Sequence, residues 1–166
     1  MHLAIIAASL LNLTGVTATP QMATIVQADS TETYGGDEIG NVKIKFTDGH
    51  TEMWTRKGHC RLPKISDSGL VGWLYFTDRN DRGWPVFSTL RVVWPDEHHR
   101  DFDSLDYPFI EDWVFTEKDT CVVIRSRRAH GPADYLHFRL ADGKLLDKVH
   151  GPEGATLPDW TNPVRQ

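Results

Sequence analysis

The sequence has no apolar run of the roughly 20 residues that a bilayer-spanning helix needs, because its longest such stretch ends at Leu13. Sustained helical periodicity is missing as well, which excludes a helical bundle and a doubly wound α/β fold. No Gly-x-Ser-x-Gly elbow occurs, and neither Cys60 nor Ser66 sits in a setting that would activate a nucleophile. The formal charge is -5 and the pI about 5.9, so the chain lacks the global basic field that holds a protein on nucleic acid. The short basic run Arg125-Ser126-Arg127-Arg128 reads as a solvated strand end, with an anion site as the alternative. With two cysteines, Cys60 and Cys121, at most one internal disulfide is possible, and an oxidising compartment would permit it. Cys121 in Cys121-Val122-Val123-Ile124 reads equally well as a buried free thiol. No cofactor signature is present and none is expected.

What remains is the composition of a folded domain. The chain has 166 residues, 40% apolar and 25% charged, enough for a core without help from metals or bridges. Residues 1–18 read as a signal peptide: an apolar stretch from Leu3 to Leu13 precedes small residues at Val16-Thr17-Ala18, with little positive charge ahead of it. The alternative is a buried first strand or an uncleaved anchor. The first reading implies a periplasmic or secreted protein with no transmembrane segment in the mature chain. Residues 19–41 are small and polar and read as a flexible lead-in. Residues 42–166 are expected to form a single β domain, with the proline-rich tail from Gly151 as a cap carrying Trp160.

From Val42 onward, β-branched and aromatic runs alternate with Asp-Gly and Pro-Asp punctuation, the pattern of antiparallel strands joined by tight turns. Hairpins are expected around Asp48, Asp96 and Asp142. Between them, the segments Pro63 to Trp73 and Ile110 to Ile124 each supply an apolar strand, a polar turn and a second apolar strand. The near-equal spacing of the three turn aspartates is that of a four-stranded propeller blade.

Ser66-Asp67-Ser68-Gly69-Leu70-Val71-Gly72-Trp73 resembles the turn before a buried strand in β-propeller repeats of the WD-repeat and TolB-like kind. Asp67 stands where proline is usual and Ser68 where aspartate is usual, and the second copy, near Thr116 to Thr120, lacks the glycine. The resemblance implies an all-β fold of antiparallel hairpin repeats, and two blades and a fraction imply an open, blade-like stack rather than a closed ring. A twisted β-sandwich is the alternative fold. Unpaired edges leave room for a homodimer by edge pairing. The resemblance also implies a structural hydrogen bond from His130, in the loop His130-Gly131-Pro132, to Asp112 or Glu111.

Six tryptophans are present. Trp73 and Trp113 fall in corresponding stretches and read as inter-sheet packing. Trp84 sits in a loop beside Arg79 and Arg82, a Trp and Arg combination typical of protein interface hot spots. Trp84, Arg82, Arg79 and His130 are therefore the candidate interaction residues. The functional expectation is an exported binding module that contacts a protein or another envelope component. The alternative is a metal-dependent hydrolase using loop histidines and carboxylates, with His98, Asp96 and His130 as the candidate metal ligands.

Overall fold

In a computed structural model of the chain, the described residues are 18–27, 33–34, 36–106, 108–128, 130–152 and 156–164. The expected signal peptide lies outside them except for Ala18. The described residues form an all-β, antiparallel fold that is not closed into a barrel.

The first sheet comprises β1 (Pro20–Gln27), β4 (Gly40–Phe46), β6 (Cys60–Ile65), β7 (Val71–Tyr75), β8 (Thr89–Val93) and β9 (His99–Asp103), hydrogen-bonded in that order. The short β5 (Thr51–Met53) pairs with β4. The second sheet is the meander β10 (Phe109–Thr116), β11 (Cys121–Arg127), β12 (Ala133–Arg139) and β13 (Leu145–Gly151). A separate small ribbon joins β2 (Thr33–Tyr34) to β3 (Asp37–Glu38). Hairpin turns lie at Asp48, Asp96 and Asp142, and the two intervening segments form the β6–β7 and β10–β11 hairpins. Asp48 and Asp142 each accept a hydrogen bond from the backbone N–H two residues on, at 3.1 Å, and Gly49 and Gly143 supply the positive φ that closes each turn.

The lead-in expected to be flexible differs from the structure, which puts Pro20–Gln27 into β1, paired along β4. Ala23 and Ile25 alternate inward with exposed Met22, Thr24 and Val26, so a period-2 pattern exists there within a polar composition.

The two sheets pack face to face through one cluster. Leu74, Leu90, Val92 and Phe102 of the first sheet meet Ile110, Trp113, Ile124, Leu136 and Phe138 of the second. Burying each such side chain contributes roughly 1.5–3 kcal/mol. Polar groups fix the registration between the sheets. Leu62 sits at the β6 irregularity with φ 48°, and its carbonyl accepts the Trp113 Nε1–H at 3.0 Å. Buried Arg61 donates to the Ile110 carbonyl at 2.6 Å and to Asp37 at 3.1 Å, while Lys64 donates to Asp112 at 2.7 Å. Trp113 is thus the inter-sheet residue that its position implied. Trp73 is not: side chains alternate along β7, and Trp73 points to the opposite face, into a cluster with Val42, Ile44, Phe46 and Val93.

The C-terminal segment covers the remaining face of the second sheet. The 3-10 helix Asp159–Val164 buries Thr161 and Val164, with Val164 packed among Val123, Ala133 and Tyr135.

Candidate binding face

The outer face of the first sheet carries an open groove of about 610 Å³, lined by Phe46, Trp54, Trp73, Arg91, Val93 and Trp94 with His50, Glu52, Glu97 and His99 at its walls. A second depression continues from it through the shared residues Trp54, Trp73 and Arg91 to Phe76 and Thr77. Trp54 meets Trp73 edge-on, with ring centroids 6.3 Å apart. Arg91 forms a two-pronged pair with Asp101, both contacts at 2.8 Å, and lies over the Tyr75 ring. Burial alone would raise the Asp101 carboxyl, but the Arg91 guanidinium overcomes this and holds it below its usual value.

Two hairpin turns of matching construction flank the groove. In Phe46-Thr47-Asp48-Gly49-His50, the His50 ring stacks on Phe46 at 4.2 Å and bonds to Asp48. In Trp94-Pro95-Asp96-Glu97-His98, the His98 ring stacks on Trp94 at 4.4 Å and bonds to Asp96. The backbone bonds coincide as well: the first residue's N–H reaches the fifth residue's carbonyl, and the fourth N–H returns to the first carbonyl. The fourth position has positive φ in both, Gly49 at 91° and Glu97 at 68°. Histidine stacking therefore covers one face of Phe46 and of Trp94. That leaves less ring surface free for a stacked planar or sugar ligand than the number of aromatics suggests.

The loop between β7 and β8 begins where the groove ends. His59 stacks on Phe76 at 4.2 Å, and the Arg79 guanidinium lies 5.0 Å from the same ring. The Asn80 side chain accepts hydrogen bonds from the backbone N–H groups of Arg82 and Trp84, both at 3.0 Å, and the Asn80 N–H donates to the Trp84 carbonyl. Arg79 donates to the Gly83 carbonyl at 2.9 Å and pairs with Pro85 as an isolated bridge. A backbone held at both sides thus presents Trp84, which is 56% exposed, with Arg82 exposed beside it. Trp84 and its arginines mark this loop in the sequence by residue type, whereas Asn80, which holds it, is visible there only as a turn-forming side chain.

The candidate metal ligands are not brought together. Asp96 and His98 are bonded to each other in the β8–β9 turn, and exposed His130 lies in the β11–β12 connection of the other sheet. The bond expected from His130 is replaced as well. Asp112 pairs with Lys64 of the facing sheet, and Glu111 pairs with Arg125 and Arg127 of the adjacent β11. Part of the basic run is therefore bound to Glu111 rather than simply solvated. Cys60 and Cys121 are both buried free thiols rather than a bridge. Cys60 belongs to the outer cluster of the first sheet, near Thr55 Oγ1, whereas Cys121 opens β11 in the second and donates to Glu117. Among the described residues, no helix is long and apolar enough to cross a membrane.

Comparisons with family models, with curated proteins and with solved structures return no match to this chain.

Proposed function

We propose that the chain is an exported binding module that docks a partner protein of the cell envelope through the Trp84 loop, with the adjoining aromatic groove as the flank of the same face. The observation that carries this reading is Trp84 itself, an indole 56% exposed on a loop whose backbone Asn80 and Arg79 hold in place. Ordering a mobile loop on binding costs affinity, and a loop already held avoids much of that cost. Tryptophan and arginine side by side supply the apolar area and the directional donors that dominate interface energetics.

The blade-like reading belongs to the same proposal. It is supported by the four-stranded meander β10 to β13 and by the consecutive antiparallel run β6 to β9, which continues through β4 and β1 in the same sheet. Such scaffolds place contact residues on their connecting loops.

The test is affinity capture from envelope extract with the chain as bait beside a Trp84→Ala, Arg82→Ala double variant of unchanged thermal stability. The retained protein is then purified and titrated against both. A partner that binds the parent chain at least about 100-fold more tightly than the variant supports the reading, since hot-spot truncations cost 2 kcal/mol or more each. Equal affinities overturn the loop as the contact.

A further inference from the structure

The side of the second sheet that faces the C-terminal segment carries a group of donors that the binding face does not use. Glu117, Cys121 and His137 each offer one ligand atom, and these atoms all lie within 4.8 Å of one another. The Cys121 Sγ is 3.3 Å from Glu117 Oε2, and the His137 Nε2 is 3.3 Å from Glu117 Oε1. Tetrahedral coordination with Zn–S near 2.3 Å and Zn–N or Zn–O near 2.0–2.2 Å sets donors about 3.3 to 3.6 Å apart. The two distances to the Glu117 carboxylate match that spacing, and the thiol and imidazole stand within 4.8 Å of each other.

Strand register gathers the group. Cys121 is opposite Arg139 and Val123 is opposite His137, so Cys121 and His137 are diagonal neighbours on one face of β11 and β12. Glu117 comes from the β10–β11 turn, where Glu117, Lys118 and Asp119 all have positive φ. Trp160 of the C-terminal 3-10 helix stacks on the His137 ring at 5.1 Å and fixes its orientation.

A second observation is independent of the clustering. His137 is 94% buried, and its Nε2 makes no hydrogen bond although it lies 3.3 Å from Glu117 Oε1. Thr116, opposite Cys121 on the same face, likewise buries an unpartnered hydroxyl. Buried polar atoms left without a hydrogen bond are costly, so two of them beside a thiol and a carboxylate call for an occupant.

We infer that Glu117, Cys121 and His137 form a site for a late first-row dication, best matched by Zn2+, with the fourth position open to water or an outside ligand. The thiolate and imidazole donors disfavour Mg2+ and Ca2+, which take oxygen ligands. On binding, the Cys121 Sγ–metal bond forms as the thiol proton leaves to solvent. The Thr120 hydroxyl lies 3.8 Å from the Cys121 Sγ, the kind of outer contact that tunes a metal site.

The experiment is titration of the purified, metal-stripped full chain with Co2+, followed by Zn2+. The parent chain is expected to bind one Co2+ with a thiolate-to-cobalt charge-transfer band that stoichiometric Zn2+ abolishes. Cys121→Ser is expected to lose the band. Glu117→Gln, in an exposed turn where folding is not at risk, is expected to weaken Zn2+ binding about 10-fold or more. Absence of stoichiometric binding by the parent chain overturns the site. So does a band that survives in Cys121→Ser, or a Zn2+ affinity unchanged in Glu117→Gln.

Discussion

Trp113 of the second sheet lies against Gly72 of the first so closely that a Cβ at Gly72 would stand 2.5 Å from the indole Cη2. The indole also reaches across to the Leu62 carbonyl, so one side chain both packs and registers the two sheets. Gly72→Ala is therefore expected to destabilise the fold by about 1–3 kcal/mol, the usual cost of forcing atoms into a filled core. Urea denaturation measures it as a lower midpoint at unchanged slope, and an unchanged midpoint would contradict this packing.

Trp84 presents the opposite case. It is exposed and packs into none of the three apolar clusters, so Trp84→Ala is expected to shift stability by no more than about 0.5 kcal/mol. The same denaturation experiment checks it. A larger loss would make Trp84 a structural residue and remove the main support for a contact role.

The Asp48–His50 turn predicts a local pH dependence. The side-chain bond to Asp48 raises the His50 pKa, and the backbone and side-chain bonds from His50 lower that of Asp48. A raised histidine contributes stability that is complete below its unfolded value near 6.5 and is lost as pH rises through the folded value. A lowered aspartate contributes above its unfolded value near 3.9 and is lost as pH falls through the folded one. The turn is thus expected to be firmest between about pH 4 and 6.5. In an NMR titration, His50 should titrate above 6.5 in the parent chain and fall back toward 6.5 in Asp48→Asn. Identical midpoints in the two would show the pair to be absent in solution.

The hairpins were legible because their turns carry chemistry visible in one dimension: an aspartate at a fixed offset, followed at Gly49 and Gly143 by a residue that tolerates positive φ. The β10–β11 turn reaches the same conformations with Glu117, Lys118 and Asp119, which give no such signal. β1 was hidden because its polar composition masks the alternation at Ala23 and Ile25, and its pairing with β4 is set by tertiary contact. The Trp84 loop could be read from residue type alone. The grouping of Glu117, Cys121 and His137 could not, because the register of β11 against β12 brings His137 to Cys121 across an intervening hairpin. Composition likewise cannot tell which face of β7 a side chain takes, which is why Trp73 and Trp113 looked equivalent and are not.

The most direct test of the binding face is site-specific photocrosslinking in envelope extract, with the photoreactive residue at position 84 and, in parallel, at Met22. Met22 is similarly exposed and apolar, but it stands on β1, outside the Trp84 loop. A discrete crosslinked protein is expected from position 84 and none from position 22. A partner captured from position 22 alone, or equally from both, would contradict this binding face.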